Sequence, residues 1–292
     1  MQALSFYLVY PFIYLIASLP FSILYKVSDL LYYFLRLSGY RKKVVLQNLR
    51  NSFPEKSAHE IEALCQSYFR YLCDLVMEVL KTIRMTEQEA RGHCVFHSAP
   101  WLDQLHAEKK SILIVMGHYG NWEWAGPSFA LNTPYQLVVI YRPLSNPYFE
   151  RMMSQTRTKF GTRITPAAQT LRDMVSNRSQ VTATAFIADQ TATAANAYWT
   201  TFLNQDTAVF TGPEKLAVKF NYPVVFMNIK RTRRGYYEVS PELLFSNPKD
   251  TTPDEISETF TKRLEKEIIN DPSVWLWSHK RWKHKRPANK LT

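Results

Sequence analysis

Apolar and polar positions alternate along this chain in two rhythms. Ile61, Leu64, Cys65, Tyr68, Leu72, Leu75, Val76, Val79 and Leu80 recur at spacings of three and four. That period predicts one long amphipathic helix over 54–84, packed on the main body by one face. The second rhythm is the short unbroken apolar run. Such runs at 112–116, 136–141, 181–187 and 223–230 predict strands covered on both faces, with 236–239 extending the sheet. Helical patterns fall between and after them, at 122–131, 147–160, 168–177, 213–220 and 253–269. Strands alternating with helices predict an α/β fold with a largely parallel central sheet flanked by helices.

The N-terminus has neither rhythm. Met1 to Tyr25 carries no Asp, Glu, Lys or Arg, and its length suits the roughly 17–25 residues of a membrane span. Pro11 and Pro20 interrupt it, which favours a kinked, re-entrant or interfacial segment. A second apolar patch covers 29–37. Lys26, Arg36 and Arg41-Lys42-Lys43 come after the apolar start, so the positive-inside rule puts the body on the cytoplasmic side. The expectation is an apolar helical membrane anchor over 1–37 and an α/β domain over 38–292.

The stretch Ser111 to Trp124 concentrates the candidate chemistry. The run 112–116 ends at Gly117, Gly120 permits a sharp turn, and Asn121 is a candidate N-cap. His118 and Glu123 then lie on a strand-to-helix turn, where open α/β sheets hold their ligands. On a continuous helix, side chains five apart diverge by about 140°. They converge if His118 lies in the turn and Glu123 in the first helical turn. A carboxylate bonded to one imidazole nitrogen would make the other a general base, worth about 10²–10⁴ in rate. Spacing leaves open a plain reading in which both residues cap the helix and face solvent.

Other residues fall on the same rim if the strands are parallel. Asp189-Gln190 comes after the run 181–187, and Arg142 after the run 136–141. Arg151 and Arg157 lie on the next helix, and an arginine aimed inward could stabilise an oxyanion or bind phosphate. Thr211-Gly212-Pro213 reads as a helix start that could hold an anion at Gly212 or serve only as a cap.

Composition narrows the partners. Thirty-six Lys and Arg stand against 25 Asp and Glu among 292 residues, a net charge of +11, which favours anionic partners. The C-terminal tract Ser278 to Arg286 is basic with an aromatic between the charges. Beside an apolar N-terminus, that tract suits lipid headgroups better than nucleic acid. Cys65, Cys73 and Cys94 form no disulfide framework and suggest reduced thiols. Cys94-x-x-His97 has no second ligand pair, so no metal site is expected. The sequence has no G-x-S-x-G, H-E-x-x-H, Walker loop or G-x-G-x-x-G.

Taken together, these residues resemble a known family. His118-Tyr-Gly-Asn-Trp-Glu123 is similar to the H-x4-(D/E) motif of the lysophospholipid acyltransferase superfamily. Its surroundings resemble the bacterial lipid A late-acyltransferase branch, of lauroyl and myristoyl transferase type. The likeness extends through Asn48 to Pro54, Tyr141-Arg-Pro, Ala188-Asp189-Gln190, Thr211-Gly212-Pro213 and Trp275 to Lys283.

The resemblance implies a glycerol-phosphate-acyltransferase-like fold. It implies transfer of a fatty acyl chain to a hydroxyl of a lipid A precursor or related membrane lipid. The donor would be an acyl thioester of acyl carrier protein or coenzyme A, as co-substrate, with no cofactor or metal. His118, Glu123 and Arg157 match catalytic positions, with Glu123 expected to orient His118. Asn121, Arg142, Asp189, Gln190 and Gly212 are the candidate substrate-binding residues. The implied location is the cytoplasmic face of a bacterial inner membrane, with no nucleic-acid partner. The alternatives are an acyltransferase for a phospholipid, aminolipid or other glycolipid, a thioesterase, and a basic protein that only binds lipid or nucleic acid.

Overall fold

The computed structural model describes residues 1–192 and 197–286. The chain opens with four helices: α1 (Gln2–Ser18), α2 (Phe21–Ser38), α3 (Lys42–Ser52) and α4 (Ala58–Lys81). Next come α5 (Glu87–His93), β1 (Cys94–Phe96), α6 (Pro100–Ala107), β2 (Ile112–Met116), α7 (Trp122–Asn132), β3 (Gln136–Tyr141) and α8 (Pro147–Thr158). After β4 (Arg163–Pro166) and α9 (Thr170–Ser176) come β5 (Thr182–Ile187), β6 (Tyr198–Phe202) and β7 (Gln205–Val209). Last are α10 (Gly212–Phe220), β8 (Val224–Arg233), β9 (Tyr236–Phe245) and α11 (Glu255–Asn270).

Seven strands form one sheet in the order β1-β9-β8-β2-β5-β3-β4. Every pairing is parallel except the β8–β9 hairpin. The mostly parallel α/β sheet expected from the alternating pattern is therefore present. β2 lies near its middle, and the chemistry of its sequence shows why. All five of its residues are buried. Leu113 and Val115 join one apolar core with helices α4 and α11, while Ile112, Ile114 and Met116 join another with α7. A strand covered on both faces has no solvent side, so it carries no polar alternation.

The long periodic helix is α4, and it starts later than expected. Ser57 and Glu60 form a reciprocal capping box, with the Glu60 carboxylate accepting from the Ser57 amide at 2.8 Å. Side-chain capping of the free amide groups defines the start, rather than Pro54.

The expected membrane anchor over 1–37 is overturned. No helix among the described residues is long and apolar enough to cross a membrane. The apolar stretch breaks at Leu19-Pro20 into α1 and α2, and α2 carries Lys26, Asp29 and Arg36. Both helices pack on α4. Ala17, Leu24, Ser28 and Tyr32 are buried in that contact layer. Phe6 stacks 5.7 Å from Tyr148 and meets Phe149 edge-on at 5.1 Å, tying α1 to α8. The apolar side chains that suggested an anchor therefore serve in part as packing surface. Polar contacts reinforce this: the Ser28 hydroxyl donates to Asp74 of α4 at 2.6 Å, and the Tyr25 hydroxyl donates to Glu78 at 2.9 Å.

The antiparallel hairpin β6–β7 has no counterpart among the elements expected from sequence. Its two-residue turn, Leu203-Asn204, places both residues at positive φ, 50° and 60°. Such a turn normally advertises itself with glycine, and this one has none.

Candidate active site

β2 ends at Met116, and two glycines shape the turn beyond it. A side chain on Gly117 would lie 2.7 Å from Leu264 and 3.2 Å from the Asp189 carboxylate. Gly120 has φ +57°, and a Cβ there would lie 2.9 Å from the Ile229 carbonyl oxygen. Neither position has room for a side chain. The C-terminal segment then straps the turn. Gly120 N–H donates to Val274 O at 3.0 Å, and Leu276 N–H donates to His118 O at 3.1 Å. The Tyr71 hydroxyl donates to Gly120 O at 2.5 Å from the α4 side.

His118 projects from this strapped turn, and Asp189 meets it. In the sheet, Met116 pairs with Ile187; two residues further along each strand are His118 and Asp189. His118 Nδ1 lies 2.6 Å from Asp189 Oδ1, and the His118 amide donates to Asp189 Oδ2 at 2.8 Å. Trp275 Nε1 donates to the same oxygen at 2.7 Å. Asp189 is fully enclosed by these partners. Burial alone would raise its pKa, but the charge and bonds of His118, with the Trp275 bond, outweigh burial and hold it below the usual carboxylate range. A carboxylate at Nδ1 fixes the tautomer with the proton on Nδ1 and leaves Nε2 as the basic nitrogen.

The expected partnership of His118 with Glu123 is not formed. Glu123 sits in the first turn of α7 and turns to α8 instead. Arg157 Nη2 donates to Glu123 Oε1 at 2.6 Å and Arg157 Nε to Glu123 Oε2 at 3.1 Å, a bidentate pair. Burial works against the Arg157 charge, but the bonds to Glu123 and its charge outweigh that, so the guanidinium is held above its ordinary value. Nη1 has no hydrogen-bond partner among the described residues. Spacing alone could not show this, because α7 starts at Trp122 and directs Glu123 away from the imidazole.

His118, Glu123, Arg142, Arg157 and Gln190 all line one cavity of about 240 Å³. The Gln190 side-chain nitrogen lies 3.2 Å from His118 Nε2, so its amide can donate to the basic nitrogen. Trp122 stands edge-on to the imidazole at 5.0 Å. Beneath it, a smaller cavity of about 30 Å³ shares Trp122, Gly126, Val139 and Ile187 with the larger one, and apolar side chains line it throughout.

Three expected substrate-binding residues lie outside the lining of this cavity, the first being Asp189, which holds His118 instead. Asn121 is wholly buried: its Oδ1 accepts from the Trp124 amide at 3.0 Å, and its Nδ2 donates to Glu78 Oε2 at 2.8 Å. It caps α7 and faces no cavity. Gly212 begins α10 and lies outside the lining of the His118 cavity. Sequence reasoning missed Trp275 as a contact of Asp189. The tract from Ser278, expected to suit lipid headgroups, is only partly at the surface. Ser278 and Arg281 are in fact buried, while Lys280, Lys283 and Lys285 are exposed.

A histidine–carboxylate pair, an arginine across the cavity and an apolar recess beyond it define a site suited to acyl transfer. The chain belongs to the bacterial lipid A biosynthesis acyltransferase family, whose sequence model matches residues 1–284. It is similar to the lipid A biosynthesis palmitoleoyltransferase of Escherichia coli (strain K12), with 22% identity over 247 residues, 83% of this chain and 79% of that protein. The lipid A biosynthesis acyltransferase of Shigella flexneri matches to the same extent. The chain is thus an acyltransferase.

Proposed function

We propose that the protein transfers a fatty acyl chain from an acyl thioester of acyl carrier protein or coenzyme A to a hydroxyl of a lipid A precursor, by direct attack. The observation that carries this is the His118–Asp189 pair opening onto the same cavity as Arg157. His118 Nε2 takes the proton of the acceptor hydroxyl, displacing the Gln190 amide. The oxygen attacks the thioester carbonyl. Asp189 steadies the imidazolium that forms. Arg157 Nη1 faces the tetrahedral oxyanion, while Glu123 fixes the guanidinium plane. As the carbon–sulfur bond breaks, the imidazolium returns its proton to the thiolate.

The apolar recess below Trp122 suits the far end of the acyl chain. Arg142 and the net charge of +11 favour a phosphorylated acceptor and an acidic carrier protein. The proposed working place is the cytoplasmic face of a bacterial inner membrane, where such an acceptor is made.

The test is mass spectrometry of lipid products after incubation with acyl thioester and acceptor. A product heavier by one acyl chain, made by the native protein and lost in His118→Ala, supports the reading. Thioester consumption that is equal with and without acceptor would show a hydrolase instead.

A further inference from the structure

We propose that Arg281 is a positioning residue for the Asp189–His118 pair, a buried cation that keeps Asp189 ionised while the imidazole is neutral and disfavours the imidazolium once it forms. The inference rests on the acyl-transfer reading above. Arg281 lies in the basic C-terminal tract but does not serve as surface charge. It is 4% exposed. Together with Asp189 it lines a cavity of about 10 Å³, closed by Phe202, Val209, Phe260 and Leu264. His118 does not line it, so Arg281 approaches the carboxylate by a separate route.

The backbone holds it there. The Thr191 hydroxyl, two residues past Asp189, donates to Arg281 O at 3.0 Å, and Arg281 N–H donates to His279 O at 2.9 Å. The Arg281 Nε and Nη1 atoms have no hydrogen-bond partner among the described residues. Among those residues no carboxylate comes within ion-pair distance of it. A buried guanidinium without a contacting carboxylate is costly, and its retention next to an essential anion needs a reason. Burial lowers its pKa to about 10, with Asp189 opposing the fall, so it is charged at neutral pH.

The other groups around it leave Asp189 as its counter-charge. The α11 and β6–β7 residues lining the cavity are not titratable. Thr261 donates its hydroxyl to Ser257 O at 2.7 Å within its own helix. His279 is pushed down by burial, its Nε2 lying 3.0 Å from the Thr191 hydroxyl oxygen, and Lys283 is exposed. Whenever the imidazole is neutral, Asp189 is a buried anion whose cavity-lining counter-charge is Arg281. Without Arg281 the carboxylate is harder to ionise at rest, and the imidazolium is more stable once formed. Both effects move the onset of activity to higher pH.

The experiment is the pH profile of kcat/KM for Arg281→Gln and Arg281→Lys, with a thermal unfolding curve for each. In R281Q the acid limb should move up by about one pH unit. In the same variant kcat at neutral pH should fall about ten-fold, with both KM values nearly unchanged, because Arg281 does not line the substrate cavity. R281K should restore the acid limb and add a decline at high pH, where a buried lysine loses its proton. A folded R281Q with the native profile overturns the proposal. If R281Q does not fold, R281K decides: a native profile across the whole range overturns it. The ¹⁵N NMR titration of the His118 imidazole needs no substrate. An unmoved midpoint in folded R281Q overturns the inference even if the native protein shows no transfer, which would refute the acyl-transfer reading separately.

Discussion

Asp189 holds His118 from a position 71 residues away in the chain, with Nδ1 of the ring 2.6 Å from Oδ1 of the carboxylate. The same carboxylate accepts the backbone amide of His118. Ring and backbone are thus fixed by one group. Glu123, the acidic residue nearest to His118 in sequence along the motif, serves Arg157 instead.

Replacing Asp189 with Asn keeps the shape but offers the ring an amide. The imidazole can then present the wrong nitrogen to the acceptor. Acyl transfer should fall by about 10²–10⁴, in kcat more than in KM. Steady-state kinetics on the folded variant checks this.

Asp189 also sets an acid limit on stability. Its folded pKa is depressed, so its contribution is fully present above the unfolded value and is lost as pH falls through the folded value. The native protein should hold its melting temperature from neutral down to about pH 4 as far as this group is concerned, and lose stability below that. Asp189→Asn should be less stable at neutral pH and show a weaker acid-dependent loss. Unfolding curves recorded across pH compare the two slopes.

The Glu123–Arg157 pair should behave as one unit. Glu123→Gln frees the guanidinium plane, and Arg157→Lys replaces the fork with a point charge. Each should lower kcat by about ten-fold or more if the arginine meets the oxyanion. The double variant should cost little beyond the worse single one, because residues that share one interaction are not additive. A double-mutant cycle that sums to full additivity would separate the two residues.

Asn121→Ala removes a helix cap and one donor from the buried Glu78, whose carboxyl burial already pushes upward. Loss of the cap alone costs about 0.5–2 kcal/mol. Glu78 Oε2 keeps the Tyr237 hydroxyl at 2.8 Å but loses one of its two donors, which adds to this. The variant should melt at lower temperature while any folded fraction binds substrate normally, since Asn121 faces no cavity. Equilibrium denaturation paired with KM measurements tests that split.

Much of the sheet was legible because its strands are covered on both faces, which leaves unbroken apolar runs such as Ile112 to Met116. The turn at His118 was legible from its glycines. The partner of His118 was not, because it depends on β5 lying beside β2 in the register Met116 to Ile187. Strand order is a property of the whole chain, and local periodicity does not contain it. Asn121 and Glu123 illustrate the same limit: both are polar residues in a motif, yet one is spent on a cap and the other on an arginine from α8. The N-terminal run misled because burial against α4 and insertion in a membrane select the same apolar side chains. Pro20 and the charges of α2 were the signals that favoured packing.

The central claim is that Asp189, not Glu123, orients the base. It is tested most directly by ¹⁵N-resolved proton NMR of the His118 ring. The Nδ1 proton should appear as a strongly bonded downfield resonance in the native protein, persist in Glu123→Gln and vanish in Asp189→Asn. A resonance that survives in Asp189→Asn and disappears in Glu123→Gln would contradict the account.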